Sequence, residues 1–342
     1  MAKKIDFLTI KPYDNLNILE ELKELYQLSF DDSGPYIDYY FEEKVKDFQI
    51  KCLKKDNQII SCLYLKPQQL SYHQKVTNSF LVVAASTHPQ YMHQGYMRLL
   101  MTNVLNELYH QNIPIVTLHP FNDSFYRQFG FVPYSFYKIY ETKKSLAYTF
   151  EKATGKDTHI LYNLYQDFVK NYPIYHLRSK DYFYYRLKEL QIDNDHIYII
   201  KKNNHPCGYY ITVDDIIEEY CFSDELISKK GNYIEQISDY TGQVLNMARI
   251  INPLYFLSIY PYKSTSFSMT FKITDHLIPE NNKTITLTIK DNQPNITKGE
   301  NPQFTITISE LSSLLLIGNI TNNPHPFCQL FSKQTNLSWE KY

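Results

Sequence analysis

The spacing of apolar positions in the first 150 residues changes repeatedly between the period of a helix and that of a strand. Four apolar residues share one helical face and predict a helix over Asn17–Phe30: Ile18, Leu22, Leu25 and Leu28. Two apolar runs flank Lys54–Gln58, whose Asp-Asn pair suits a tight turn, and predict a β-hairpin over residues 48–67. The apolar run SFLVVAAST, residues 79–87, predicts a buried strand.

Two helices and two strands are predicted to follow that buried strand. Six apolar residues form a stripe that predicts a helix from about Gly95 to Asn112: Met97, Leu100, Met101, Val104, Leu105 and Leu108. Ile113–Leu118 predicts a short strand, and residues 133–143 alternate like another. Between them, a cap at Asn122 or Asp123 and a stop at Gly130 predict a short helix. The order strand, turn, helix, strand is typical of a crossover unit in a mixed or largely parallel sheet.

The remainder of the chain shows two changes of pattern. Residues 160–172 and 231–248 have helical spacing, and residues 196–213 predict a hairpin with its turn at Asn203–Gly208. From residue 246 onward, two strands are predicted around a turn at Pro279–Lys283, followed by a strand and a short apolar helix over residues 303–319. We therefore predict a mixed α/β (α+β) fold with three domains, at residues 1–150, 151–245 and 246–342.

Composition and charge limit the partners that we expect. The formal net charge of −1 gives no bulk attraction to nucleic acid or anionic lipid, and no run of about 18 apolar residues predicts a membrane span. The five cysteines contain no CxxC pair and the eleven histidines do not cluster, so we expect neither a disulfide framework nor a metal site. The first ten residues are too polar for a secretory signal, and we expect a cytoplasmic protein.

The turn between the strand at residues 79–87 and the next helix could bind an anion. A helix amino terminus presents unpaired N–H groups and the positive end of the helix dipole. Gly95 permits a close approach to the backbone, and Arg98 adds a positive charge. On these residues alone, Met92–Met97 either holds a pyrophosphate through its amides or is an ordinary strand-to-helix turn.

The same turn resembles a known signature. THPQYMHQGYMRLLM, residues 87–101, resembles the acetyl-CoA signature Arg/Gln-x-x-Gly-x-Gly/Ala of the GNAT N-acetyltransferases. Met92 takes the basic position, Gly95 the central glycine and Met97 the second small residue, so two of the three side chains depart from the signature.

Two further stretches extend the resemblance over nearly the whole chain. LHPFNDSFYRQFGF resembles the helix after the next strand of that superfamily, which ends in Tyr-x-x-x-Gly-Phe, here Tyr126, Gly130 and Phe131. The chain from residue 267 to 318 is similar to the sterol-carrier-protein-like domain of the Eis-like (enhanced intracellular survival) acetyltransferases. Those enzymes have two GNAT-like domains before that tail and commonly form hexamers.

The resemblance implies a cofactor, a set of site residues and an assembly. The first domain should bind acetyl-CoA, the second should be a degenerate copy, and the protein should be a homo-oligomer, a hexamer. The implied cofactor-binding residues are Ala85, Ser86 and Thr87 of a splayed strand, Met92, His93, Gln94, Gly95, Tyr96, Met97 and Arg98 of the pyrophosphate turn, and Asn122. Tyr126 should act as general acid toward the sulfur, and the terminal carboxylate of Tyr342 should help to deprotonate the amine.

The acceptor stays open at this stage. Asp31, Tyr36 and Phe80 are candidates for the amine pocket, although a solvated loop before a helix explains each of them at least equally well. Acidic residues near the carboxyl terminus would favour cationic amines, but the chain has Lys341 there. We predict direct acetyl transfer, through a tetrahedral intermediate, to a primary amine: a small amine, an aminoglycoside-like compound or a lysine side chain. The alternatives are a non-catalytic protein that binds or senses acyl-CoA or lipid, and an assembly protein.

Overall fold

A computed structural model describes residues 5–11, 16–142, 147–214, 216–222, 232–237, 240–264 and 266–341. The strands are β1 (Ile5–Ile10), β2 (Gln49–Lys55), β3 (Gln58–Tyr72), β4 (Lys75–Thr87), β5 (Ile115–Leu118), β6 (Val132–Glu141), β7 (Thr149–Lys152), β8 (Ile174–Leu177), β9 (His196–Lys202), β10 (His205–Val213), β11 (Ile216–Cys221), β12 (Asn232–Gln236), β13 (Gln243–Ile250), β14 (Ser266–Thr274), β15 (Lys283–Lys290), β16 (Gln293–Lys298) and β17 (Phe304–Thr307). The α-helices are α1 (Leu16–Gln27), α2 (Gly34–Glu42), α3 (Tyr96–His110), α4 (Asp123–Arg127), α5 (Thr158–Val169), α6 (Lys180–Ile192), α7 (Pro253–Ile259) and α8 (Ile308–Ile317).

Thirteen of the described strands form one mixed sheet. Its order is β1-β2-β3-β4-β5-β13-β6-β12-β11-β10-β9-β7, and β8 pairs with the far end of β3. Within the described part of this sheet only β4–β5 and β11–β12 run parallel, so of the two predicted alternatives the sheet is mixed and not largely parallel. The reason is that tight hairpins connect its neighbours, with Asp56 and Asn57 turning β2 into β3, and His73 and Gln74 turning β3 into β4, all at positive φ. The predicted mixed α/β fold is confirmed.

Strand β13 lies between β5 and β6 and joins distant parts of the chain. It pairs antiparallel with both neighbours, for example Met247 with Leu118 of β5 and with Pro133 of β6. The helix predicted over residues 231–248 is therefore wrong, since that stretch contains β12 and most of β13. A strand buried on both faces has no polar alternation, and its apolar spacing cannot be told from that of a buried helix. The domain boundaries stay a prediction, and β13 crosses the one placed after residue 245.

Helices cover both faces of the first part of the sheet. Alternate residues of β4 point to opposite sides, so that Leu81 and Val83 pack in a cluster with α1 and α2. Phe80 and Val82 pack in a second cluster with α3 and α4. The sequence predicted α1 and α3 because their apolar stripes match these two faces.

The last part of the chain forms a smaller sheet with the order β16-β15-β14-β17. Helix α8 begins directly after β17 and packs against β6 and β13 of the large sheet. Thr307 and Glu310 form a reciprocal capping box at its start. The smaller sheet therefore shares a core with the larger one through α8. No helix in the described ranges is long and apolar enough to span a membrane.

Candidate active site

Strands β4 and β5 separate at their carboxyl ends. They pair in parallel from Ser79 opposite Ile115 to Val82 opposite Leu118, and β4 then continues to Thr87 beside β3 alone. At the point of separation, two residues of β4, one of them Ala84 with φ 46°, lie opposite a single residue of β3. Within the described ranges, no strand pairs with the β5 side of β4 beyond Val82, so a ligand can take up its backbone groups. The predicted cofactor residues Ala85, Ser86 and Thr87 all lie on this segment.

The turn before α3 is open to a ligand at its glycine. Gly95 caps the helix in the left-handed conformation, with φ 81°, and an added Cβ there would meet no atom within 4 Å. The first helical hydrogen bond joins the Leu99 N–H to the Gly95 carbonyl at 2.9 Å, so the amides of Tyr96, Met97 and Arg98 have no acceptor within the helix. The four residues that precede the helix are exposed: Met92, His93, Gln94 and Gly95.

A lysine from a neighbouring hairpin supplies charge beside this turn. Lys55 at the end of β2 donates a hydrogen bond to the Tyr96 hydroxyl at 2.9 Å. Its ammonium lies 5.2 and 5.3 Å from the ring centres of Tyr91 and Tyr96. The sequence did not predict a role for Lys55, because it lies in a hairpin forty residues before Gly95 and no local pattern indicates that the two are close.

Tyr126 is held in an aromatic cluster by the short helix α4. The side-chain oxygen Oδ1 of Asn122 accepts the Ser124 N–H at 3.0 Å and starts that helix, so the predicted cofactor residue Asn122 acts as its cap. The Tyr126 ring packs against Phe121, Phe125 and Phe131, with centroids 5.1 to 6.0 Å apart. Burial raises the pKa of Tyr126 to about 12, so its hydroxyl stays protonated at neutral pH and suits proton donation rather than proton abstraction.

The carboxyl-terminal tail crosses the sheet toward the place where β4 and β5 separate. Ser338 bonds to the Tyr134 hydroxyl at 2.7 Å. The Asn246 side chain donates to the carbonyls of Glu340 at 2.6 Å and Leu118 at 3.4 Å, so the tail backbone passes the end of β5. Tyr342, the other predicted catalytic residue, lies outside the described residues.

A buried ion network fixes the tail. The Arg178 guanidinium donates to both oxygens of Glu219, at 2.6 and 2.9 Å, and to Glu340 at 2.9 Å. Lys66 lies 3.7 Å from the second oxygen of Glu340. Burial by itself raises the pKa of Glu340, but Arg178 and Lys66 outweigh it and hold that pKa well below its usual range. Glu340 is therefore ionised at all ordinary pH values, and the tail is held by charge as well as by packing.

His176 gives this region a predicted pH dependence. It is 2% exposed, its Nε2 lies 3.1 Å from both the Tyr134 hydroxyl and Ser338 Oγ, and burial lowers its pKa to about 4. In the unfolded chain His176 is protonated below about pH 6.5, whereas in the folded protein it is protonated only below about pH 4. The free energy of unfolding therefore falls as the pH falls from 6.5 to 4. We expect His176→Gln to remove about 2–3 kcal/mol of the loss between pH 6.5 and 4.5, measured by urea unfolding. Equal pH slopes for both proteins would contradict the assignment.

Two adjoining cavities lie where the tail, α6 and the first part of the sheet meet. The larger, of about 770 Å³, is lined by Phe80 together with residues of β3, β8 and α5. The smaller, of about 550 Å³, lies between the segment Tyr39–Phe48, the amino-terminal two thirds of α6 and the tail. Both have Lys66, Pro67, Ser179, Tyr182 and Glu340 in their walls.

The predicted acceptor residues differ in their relation to these cavities. Phe80 lines the larger one, whereas Tyr36 lies behind the smaller one and bonds to two of its lining residues, Lys44 and Glu189. Asp31 is exposed and lines neither cavity, because it precedes α2 whereas the cavity wall begins at Tyr39. Tyr126 also lines neither, since it belongs to the cluster on the α3 face of the sheet. Among the residues that the structure describes, no group of three or more His, Cys, Asp or Glu side chains could hold a metal ion.

Comparisons with known proteins agree with this architecture. Residues 15–134 match the acetyltransferase (GNAT) domain family, and residues 255–321 match the sterol carrier protein domain family. A conserved protein from Enterococcus faecalis V583, described as a probable N-acyltransferase, shares the fold with a TM-score of 0.81 and 16% identity over 100% of both chains. A GCN5-related N-acetyltransferase from Anabaena variabilis gives a TM-score of 0.76 at 17% identity, over 98% of this chain and 100% of its own.

Eis1 from Mycobacterium abscessus also has this fold, with a TM-score of 0.73 and 11% identity over 100% of both chains. No curated protein matches the sequence. The two matched domains and the shared whole-chain fold confirm the predicted resemblance: the chain contains a GNAT acetyltransferase domain and a sterol carrier protein domain, and it has the fold of Eis1.

Proposed function

We propose that the protein transfers the acetyl group of acetyl-CoA to a primary amine. The observation that carries this proposal is the unpaired edge of β4 beyond Val82, which lies in the same crossover unit as the open amino terminus of α3. An extended pantetheine arm can hydrogen-bond along that edge as a strand would. A pyrophosphate fits the free amides of the first helical turn, with the charges of Lys55 and Arg98 nearby. These backbone groups do not depend on the basic side chain that Met92 replaces.

The reaction that we propose requires three transfers. The neutral amine attacks the thioester carbonyl, and the new N–C bond creates an oxyanion that backbone N–H groups of the β4 edge stabilise. The C–S bond then breaks, and Tyr126 gives its proton to the departing sulfur and regains one from solvent. The amine loses its extra proton to a carboxylate, which we assign to Tyr342 because Glu340, two residues earlier, passes the end of β5.

The geometry favours catalysis over lipid carriage. Four phenylalanines pack together beside α8, two from the smaller sheet and two from the segment that follows α8, with neighbouring ring centroids 4.6 to 5.3 Å apart: Phe271, Phe304, Phe327 and Phe331. These rings belong to one hydrophobic core with α8 and β6. Their packing gives the sterol carrier protein domain a structural role.

We also propose that the protein assembles into a homo-oligomer, a hexamer, and that it lies in the cytoplasm. Size-exclusion chromatography with light scattering tests the assembly, and cell fractionation tests the location.

Calorimetric titration of acetyl-CoA and a thiol-release assay with a panel of amines test the proposed function. We expect micromolar binding to the wild type, loss of binding in Gly95→Trp because the indole occupies the open space above the turn, and retained binding in Gly155→Trp. Gly155→Trp controls for the added bulk, since an added Cβ there also meets no atom within 4 Å, although of the two only Gly95 has a positive φ. Deletion of Tyr342 should slow thiol release without weakening acetyl-CoA binding. Failure of the wild type to bind acetyl-CoA, or binding without turnover of any amine, would overturn the proposal.

A further inference from the structure

The smaller cavity has an uneven distribution of charge along its walls, and this bears on the acceptor. The following inference rests on the proposed function and names the chemical class of the amine. The cavity, of about 550 Å³, is within the size range of small-molecule sites, and aromatic side chains form much of its wall: Tyr39, Phe48, Tyr182, Tyr185 and Trp339.

Charges are balanced at the tail end of the cavity. Arg178 and Lys66 together face the two carboxylates of Glu219 and Glu340, so two positive charges meet two negative ones. Lys341 is paired separately, with Glu218 at 2.7 Å, and this pair adds no net charge.

Charges are not balanced at the opposite end, between α2 and α6. Lys44 Nζ lies 2.6 Å from Glu189 Oε1, and Arg186 Nη1 lies 3.3 Å from the same oxygen, so two cations share one carboxylate. The Tyr36 hydroxyl accepts from Lys44 at 2.9 Å and donates to Glu189 at 3.3 Å, and it brings no compensating charge. One positive charge remains in this wall.

The pKa shifts have the direction that such an excess produces. Burial, with additional repulsion from Lys66 and Arg186, lowers the pKa of Lys44 to about 8 despite its contact with Glu189. Burial raises the pKa of Glu189, but Lys44 and Arg186 outweigh it and bring that pKa to about 2. A second anion beside Lys44 and Arg186 would lower the cost of their burial.

The remaining charges near this end lie at the rim. Glu43 faces two more cations, with Lys46 at 2.9 Å and Lys188 at 3.6 Å. Asp47 and Asp181 also line the opening, but both are exposed, so water and salt screen their charge. The rim therefore leaves the buried excess at Lys44 and Arg186 in place.

We propose that the acetyl acceptor carries a carboxylate in addition to its amine, as an amino acid or a short peptide does, and that Lys44 and Arg186 bind this carboxylate while the amine lies toward the tail. A single excess positive charge matches a carboxylate better than a doubly charged phosphate. The planar guanidinium of Arg186 can also offer the paired donors that a carboxylate accepts. The acceptor thus differs from a polyamine, which this end of the cavity repels.

Matched pairs of amines test the proposal: glycine, β-alanine, γ-aminobutyrate and glycylglycine, each beside its carboxamide. We expect at least one carboxylate to have a kcat/KM about tenfold or more above that of its amide. The reason is that one hydrogen bond to a charged group strengthens binding by about tenfold or more. Arg186→Gln should abolish this preference because Lys44 and Glu189 then balance one to one. Lys188→Gln, which removes a cation outside the cavity lining, should preserve it.

The outcomes separate this inference from the proposed function. Equal rates for carboxylates and amides, or faster acetylation of diamines, would overturn the inference while the acetyltransferase assignment stands. If no amine causes release of CoA thiol from acetyl-CoA, the proposed function fails. Calorimetric titration of the same pairs of amines into the wild type and Arg186→Gln then tests the inference by binding alone. Tighter binding of the carboxylates, lost in Arg186→Gln, would support it, and equal binding of both members would overturn it.

Discussion

Replacing Tyr126 with phenylalanine is expected to lower kcat for acetyl transfer by about 100-fold or more, with acetyl-CoA binding unchanged. The substitution keeps the ring among Phe121, Phe125 and Phe131 and removes the oxygen that we assign to protonation of the sulfur. Steady-state thiol release together with calorimetric titration separates the two effects. Because the pKa of Tyr126 is raised to about 12, loss of its proton should not cause any fall in rate below pH 10.

Tyr260→Phe is the matched control for that experiment. Tyr260 is also 5% exposed, and burial likewise raises its pKa to about 12, but it packs in the core of the carboxyl-terminal part of the chain. Its loss should leave kcat unchanged. An equal effect of both substitutions on kcat would show that deletion of a buried hydroxyl acts through stability, and the catalytic assignment of Tyr126 would then be wrong.

Replacing Arg178 with methionine is expected to reduce the free energy of unfolding by about 3–5 kcal/mol. The guanidinium is the direct partner of Glu219 and Glu340, whose side chains are each 7% exposed, and its removal leaves two carboxylates close together in a poorly solvated site. It also stacks between Tyr165 and Tyr182, at 4.5 and 4.2 Å from their ring centres. Guanidinium chloride unfolding measures the change.

Two comparisons sharpen this prediction. Lys341→Met breaks the neighbouring pair with Glu218, in which both side chains are about one quarter exposed, and should cost less than about 1 kcal/mol. Converting Glu219 and Glu340 to glutamine in the Arg178→Met background should restore part of the stability, since neutral amides tolerate burial better than unpaired carboxylates. A loss below about 1 kcal/mol in Arg178→Met would mean that water compensates the two carboxylates.

Local signals were sufficient for the elements that build the cofactor side of the site. The Asp-Asn turn after β2, the apolar stripe of α3 and the Asn122 cap of α4 each depend on a few adjacent residues, and each has the predicted conformation. Gly95 has the positive φ that the turn requires. The conformation of such a short segment can be predicted from the sequence because it does not depend on distant residues.

Longer-range pairing explains what the sequence did not show. The turn at His73 and Gln74 uses two residues that seldom form tight turns, and it is imposed by the long pairing of β3 with β4. Helix α6 has only three fully buried side chains among thirteen residues, and its many tyrosines hide the apolar stripe. The smaller cavity, in which we propose that the acceptor binds, combines α2, β3, α6 and the tail, so its charge pattern emerges only when these segments meet.

The position of β13 between β5 and β6 determines when during synthesis the large sheet can be completed. This strand is translated more than a hundred residues after β6. Domains usually fold in order as they leave the ribosome. Until β13 has left the ribosome, β5 and β6 lack the strand that pairs with both of them, so the amino-terminal part of the sheet is completed late in synthesis.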